Sequence, residues 1–197
     1  MLHRDGDFRM KYLAHMTQQA KWFFLLACGY GIFYWINNLL TTSLYLETGA
    51  HIVHLPSGVR MVIVLIAGLT GSLALMLATF PYTHLTIFSG NLALAVVSSV
   101  ATGLIPLATI YVVKQFMALD KNLSNLTPTK LFVLSVAFAL INTFTQQSLI
   151  FAFGESKNPL NAVLVMFTGD ILGICIVLYL IRIIGKIIRI IFPNTSA

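Results

Sequence analysis

A single aspartate interrupts the last long apolar stretch of the chain. Asp170 lies in the segment Phe167-Thr168-Gly169-Asp170-Ile171-Leu172-Gly173. An ionisable side chain at the centre of a bilayer costs about 2.5–3.5 kcal/mol on insertion scales, so it needs a structural or functional reason. Two interpretations stay open. In the first, Asp170 has a function: it binds a ligand, senses protons or acts as a switch. In the second, it is a buried structural hydrogen-bond acceptor.

Two glycines and one arginine are the expected neighbours of this aspartate. Gly169 and Gly173, four residues apart, would let another helix approach closely. Arg60, which begins the second apolar stretch from the outer side, is the best counter-charge, although the pattern places it about two helical turns from Asp170 in depth. We expect a buried pair between Arg60 and Asp170.

Amide side chains form a second polar cluster. Asn142, Gln146 and Gln147 follow one another at spacings of four and one, with threonines nearby. In hydrocarbon such side chains must face protein, where an interhelical hydrogen bond contributes about 0.6 kcal/mol on average. The cluster therefore predicts helix-to-helix hydrogen bonds, with a ligand pocket as the alternative, and Asn142 and Gln146 join Asp170 and Arg60 as candidate ligand or switch residues.

The sequence gives little evidence for a metal site or a catalytic site. His51 and His54 lie three residues apart beside Glu47, but the segment before Pro56 indicates extended backbone, which separates the imidazoles. No phosphate-binding loop, nucleophile with an adjacent base or pair of carboxylates is recognisable. We expect no enzyme, no metal site and no cofactor.

The composition identifies the kind of element that must position these residues. Of 197 residues, 58% are apolar and 9% are charged, and the mean hydropathy is +0.88, which excludes an ordinary soluble domain. The net charge of +6 is scattered and forms no basic stripe, so a nucleic-acid partner is not expected. The chain is predicted to be an all-α, polytopic transmembrane helical bundle whose first partner is the lipid bilayer.

Five apolar runs are long enough to cross a membrane. One of them, Leu85 to Met117, is long enough for one tilted helix or two short ones, and contains Gly90-Asn91, Gly103 and Pro106, where a helix can break or kink. A short or broken helix in the bundle would be tolerated where protein covers its backbone. The runs are Trp22–Tyr45, Val59–Phe80, Leu85–Met117, Leu131–Phe153 and Leu160–Ile184.

The positions of the basic residues decide between five and six crossings. If the long run turns back near Thr102-Gly103, ten of the 12 Lys and Arg residues share one side, which is the cytoplasmic side by the positive-inside rule. Six spans with both termini cytoplasmic are therefore favoured over five, in a bacterial inner membrane. Residues 1–21 are expected to form an amphipathic lead-in, 22–184 the bundle and 185–197 a basic juxtamembrane tail.

Two short motifs carry a resemblance to a known family. Leu55-Pro56-Ser57-Gly58-Val59-Arg60 and Gly169-Asp170-Ile171-Leu172-Gly173 resemble the proline-x-glycine start and the glycine-aspartate-x-x-glycine signature of the membrane-associated sensor domain family. The stretch from Gly90-Asn91 to Lys114 is similar to that family's middle helix. The resemblance implies an integral-membrane input module of histidine kinases and diguanylate cyclases, and gives Pro56 and Gly58 a role in helix packing.

The expected function follows from this resemblance and from the few residues after Phe192. We expect a stand-alone sensory or docking module that binds a partner membrane protein, with a small ligand near Asp170 as an option, or an accessory subunit of a membrane complex. The alternative is the substrate-binding subunit of an importer for small, vitamin-type molecules. The importer requires a polar pocket at mid-membrane, whereas docking requires an exposed face that pairs with another helix.

Overall fold

The computed structural model describes residues 2–41, 45–47, 50–51, 53–120, 125–156 and 158–191, with side chains described for 16–41, 53–120, 125–156 and 158–187. These residues form a helical bundle, in which five helices are long and apolar enough to cross a membrane. The elements are α1 (Leu2–Leu40), β1 (Tyr45–Glu47), β2 (Ala50–His51), α2 (Leu55–Tyr82) with a π-helical extension Thr83–Ile87, α3 (Leu92–Phe116), α4 (Pro128–Ala152) and α5 (Pro159–Ile191).

Helix α2 reverses its direction at Gly68. This residue has φ 54° and ψ −127°, a conformation typical of the first central residue of a type II′ turn and easy only for glycine. A straight helix of this length would separate its ends by about 42 Å. Instead, the ring of Tyr34 lies 6.1 Å from the His54 ring and 5.3 Å from the Tyr82 ring. The two ends of α2 are therefore neighbours, and the element is a helical hairpin of residues 55–67 (α2a) and 69–82 (α2b).

Contacts along α1 confirm this chain direction. Gln19 accepts a hydrogen bond from Thr70, and further along α1 Tyr34 meets Tyr82, so α1 and α2b run parallel. Helix α2a runs the opposite way, because its beginning meets Tyr34 and its later part lies against the first turns of the α1 span. Six helical segments of alternating direction result.

The chain does not turn back near Thr102-Gly103, where we predicted a turn within Leu85–Met117. Helix α3 continues from Leu92 to Phe116 through Gly103 and Pro106. Gly103 marks a close contact instead of a break: a Cβ there would lie 2.4 Å from the Ser72 carbonyl oxygen of α2b, and the Ser72 hydroxyl donates to the Gly103 carbonyl oxygen at 2.8 Å. The proposed domain boundaries after residues 21 and 184 fall inside the continuous helices α1 and α5.

Helix α2a is a partial helix in the middle of the bundle. Its 13 residues extend about 20 Å, less than the hydrocarbon thickness of about 30 Å. It begins beside Gly169 and Gly173, between a third and a half of the way along α5, where the non-helical backbone of His54 donates to the Gly169 carbonyl oxygen at 3.1 Å. The strands β1 and β2 also pack against α5. Protein thus covers the non-helical backbone, as a membrane interior requires.

Buried and exposed side chains are distributed as expected for a bundle that is surrounded by lipid. Fully buried side chains come from α2a, α2b, α3, α4 and α5, the largest number of them from α4, whereas large apolar side chains such as Ile66 and Phe116 face outward. With no hydrophobic drive between helices in lipid, close packing and hydrogen bonds hold such bundles together. The fully buried apolar side chains include Met61, Leu75, Leu94, Leu134, Phe138 and Ile174.

Candidate functional site

Glycines allow α2a to begin directly against α5. A Cβ at Gly173 would lie 1.9 Å from the His54 carbonyl oxygen, and a Cβ at Gly58 would lie 2.7 Å from the Val177 Cβ. Gly169 contributes its carbonyl oxygen to the same junction. Pro56 is buried in the first turn of α2a, where its missing N–H costs nothing. The four residues that we predicted to pack helices therefore all lie at one contact.

This junction encloses the carboxylate of Asp170. The side chain is fully buried, and both of its oxygens accept hydrogen bonds: Oδ1 from the Ser57 hydroxyl and Oδ2 from Asn142 Nδ2 at 2.6 Å. Two donors aimed at the two oxygens suit the ionised form, which only accepts. The N-terminal turn of α2a, the positive end of its dipole, also faces this charge.

Arg60 completes the network from within α2a. Its Nη2 donates to Ser57 Oγ at 3.0 Å and lies 4.0 Å from Asp170 Oδ1, while its guanidinium carbon is 5.8 Å from the centroid of the Phe138 ring. The predicted pairing with Asp170 is present. The predicted difference in depth is wrong, because α2a starts at mid-bundle instead of at the outer surface, and this brings Arg60 level with Asp170. We refer to Arg60, Ser57, Asp170 and Asn142 as the charged network.

Gln146 belongs to a separate polar cluster. It lies one turn from Asn142 on α4, but its partners are on α3: its Oε1 accepts from the Ser98 hydroxyl at 2.7 Å, and its Nε2 donates to the Ser98 carbonyl oxygen and to Thr102 Oγ1. Gln147 donates to the sulfur of Met166. The amides therefore connect helices, and Gln146 does not touch Asp170.

A cavity of about 50 Å³ separates the charged network from the Gln146 cluster. Arg60 and Gln146 both line it, and α1, α2a, the π-helical extension, α3, α4 and α5 all contribute. Because a single water molecule needs about 10–15 Å³ of such space, the cavity accommodates a few water molecules or one small polar ligand. Its lining comprises Tyr34, His54, Arg60, Thr83, Ile87, Phe88, Ser98, Thr102, Gln146, Ile150 and Met166.

Several buried polar atoms near this cavity have no hydrogen-bond partner among the described residues. They include Arg60 Nε, the Tyr30 hydroxyl and Asn142 Oδ1. A buried donor without a partner costs about 1–3 kcal/mol, more when it is charged. The site thus retains hydrogen-bonding capacity, in particular at the cationic side chain.

Sequence reasoning missed some of the residues that form this site. Ser57 bridges Arg60 and Asp170, and its signal was the spacing of three residues to Arg60, which places both on one helix face. Ser98 and Tyr34 carry no comparable signal. Among the described side chains, no group of His, Cys, Asp or Glu could hold a metal ion; the side chains of Glu47 and His51 lie outside that part, and His54 lines the cavity.

Comparisons with family models, characterised proteins and solved structures found no match to this chain. The resemblance to the membrane-associated sensor domain family therefore remains a prediction based on two short motifs. The geometry of the described residues is the basis for the function proposed below.

Proposed function

We propose that this chain crosses the membrane six times and has both termini in the cytoplasm of a bacterial cell. The alternating direction of the six helical segments supports this topology, with α2a and its preceding extended residues together forming the second pass. Charge supports the orientation, because nine of the ten basic residues in the described part of the chain lie towards the end of the bundle where the chain starts. These nine are Arg4, Arg9, Lys11, Lys21, Lys114, Lys130, Arg182, Lys186 and Arg189.

In this orientation the bundle acts as a membrane-embedded sensory and docking module. A small polar ligand occupies the central cavity, and a partner membrane protein binds the bundle. The observation that carries this function is the contact between the cavity and Arg60, a buried cation of the charged network. Buried ion pairs seldom add net stability over apolar packing, and intramembrane charges mark functional sites by default.

Helix α2a provides the route from ligand to partner. Its N-terminal half carries Ser57 and Arg60 of the charged network, and its other end is the turn at Gly68, which lies towards the cytoplasm in the proposed topology. A ligand that binds Arg60 changes the balance of contacts in the charged network, and a rigid short helix transmits the resulting shift to the inner surface. The two sensor-family motifs form the junction between α2a and α5, which agrees with this mechanism.

The size of the cavity argues against the importer alternative. Pockets for drug-sized ligands have volumes of about 300–1,000 Å³, whereas this cavity has about 50 Å³. A vitamin-type substrate would require the helices to separate widely. An accessory subunit without a ligand would leave the contact between the cavity and the buried cation of Arg60 without a role.

Purification in mild detergent followed by mass spectrometry tests this function. We expect the wild-type chain to retain one partner membrane protein in constant ratio, and we expect Asp170→Asn to change that ratio without affecting solute uptake. Thr168→Val is the matched control, since Thr168 is exposed on α5 and, among the described residues, bonds to carbonyl oxygens of its own helix. A partner-free protein, or uptake of a solute that Asp170→Asn abolishes, would contradict the docking function.

A further inference from the structure

The serine and threonine hydroxyl groups of the cavity wall are available to a ligand as hydrogen-bond acceptors. Thr83 Oγ1 donates its hydrogen to the Thr79 carbonyl oxygen at 2.7 Å, and the Ser98 hydroxyl donates to Gln146 Oε1 at 2.7 Å. The Thr102 hydroxyl donates to the Ser98 carbonyl oxygen at 3.0 Å. Because each hydroxyl has one hydrogen, these groups offer only lone pairs to a ligand.

The cavity wall also provides a charged donor. Arg60 lines the cavity and is 3% exposed, and the hydrogen bond from its Nη2 to Ser57 Oγ uses only one of the five N–H groups of the guanidinium. A guanidinium N–H makes its strongest hydrogen bonds to a carboxylate. A ligand that satisfies both the hydroxyl oxygens and Arg60 therefore carries a donor group and an acceptor group.

Charge balance restricts the ligand further. The carboxylate of Asp170 already balances the charge of Arg60 within the charged network. A ligand with net charge would leave one buried charge uncompensated, which is strongly unfavourable in a low-dielectric interior. The ligand must therefore be neutral overall although its two ends are polar.

We propose that the cavity binds a small zwitterionic amino acid of the size of glycine or alanine. Its carboxylate accepts from the guanidinium group of Arg60, and its ammonium group donates to the hydroxyl oxygens of Ser98 and Thr83. The cavity of about 50 Å³ excludes larger side chains. This inference rests on the ligand-binding part of the proposed function and specifies its chemistry.

Calorimetric titration of the purified chain in nanodiscs of uncharged lipid tests the proposal. The probes are glycine, L-alanine, acetate, methylammonium and acetamide. We expect saturable binding of glycine, and binding at least about tenfold weaker for the three partial ligands, because each lacks one or both charged contacts. Absence of glycine binding, or acetate or acetamide binding as tightly as glycine, would overturn the proposal.

Three variants connect binding to the named residues. The double variant Arg60→Gln with Asp170→Asn has no charge in the site and should abolish glycine binding. Thr83→Val should weaken glycine binding about tenfold. If the double variant does not fold, the glycine affinity of Thr83→Val tests the proposal. Thr168→Val should bind like the wild type. Wild-type affinity in both cavity variants would refute the site. If the chain binds no amino acid but still co-purifies with its partner, the amino-acid proposal fails and the proposed docking function does not. Loss of the partner would instead contradict the proposed function.

Discussion

Removing both charges of the Arg60–Asp170 pair should damage the fold less than the two single removals added together. The Arg60 Nη2 to Asp170 Oδ1 distance of 4.0 Å corresponds to an attraction of about 4 kcal/mol at an effective dielectric constant of 20. Arg60→Leu leaves a buried carboxylate with two neutral donors, and Asp170→Asn leaves a buried cation. Each single change should therefore lower the free energy of unfolding by about 3–5 kcal/mol.

The double variant of these two residues has no buried charge left. Its loss should be smaller than the sum of the single losses by about 1–3 kcal/mol, the usual range for directly coupled residues. Denaturant titration in mixed micelles, together with the amount of protein that accumulates in the membrane, measures this coupling. The control combines Arg60→Leu with Thr168→Val, whose effects should add. Additive losses for Arg60→Leu and Asp170→Asn would refute the pairing.

Three further changes test the packing around the charged network. Gly68→Ala should lower the free energy of unfolding by about 1–3 kcal/mol, because an L side chain is strained at φ 54°. The control Gly185→Ala adds a methyl group in open space and should not lower it. Equal melting temperatures for the two variants would argue against the turn. Gly173→Ala should cost at least about 1–3 kcal/mol by overpacking, and an unchanged melting temperature would contradict the α2a–α5 contact. Gln146→Leu should cost about 1–3 kcal/mol by leaving polar partners on α3 unsatisfied, and a loss no greater than that of the exposed Ser148→Ala would contradict its role.

The sequence was sufficient to predict the helical class and the charged pair. An acid within an apolar run must be buried and paired, so Asp170 and Arg60 could be connected before any coordinates. The amide spacing likewise predicted that Asn142 and Gln146 face protein. These inferences succeed because the high cost of polar groups in hydrocarbon leaves few alternatives.

The position of the chain reversal could not be predicted in the same way. Hydropathy measures the length of an apolar run, and Gly68 lies within a run whose residues on both sides favour a helix. Gly103 and Pro106 gave the stronger local signal for a break, yet Gly103 serves close packing with α2b. A glycine that turns the chain and a glycine that admits a neighbouring helix look alike in one sequence.

The cavity depends on tertiary structure for a similar reason. Its hydroxyl residues Thr83, Ser98 and Thr102 come from two helical segments, and short polar side chains of this kind most often bond to their own helix backbone. Only the packing of α2a against α5 brings Arg60 to the same place. The polar composition of the cavity wall was therefore not visible in residue spacing.

A distance across helix α2 tests the central feature of the fold most directly, since the reversal at Gly68 makes α2a a separate short helix, whose packing against α5 brings Arg60 to Asp170. Spin labels at Val53→Cys and Pro81→Cys, after replacement of the exposed Cys28 and Cys175, report this distance by pulsed electron paramagnetic resonance. The hairpin predicts about 10–20 Å, the spacing of packed helices plus the label arms. A separation of about 40 Å, as in one continuous helix, would contradict it.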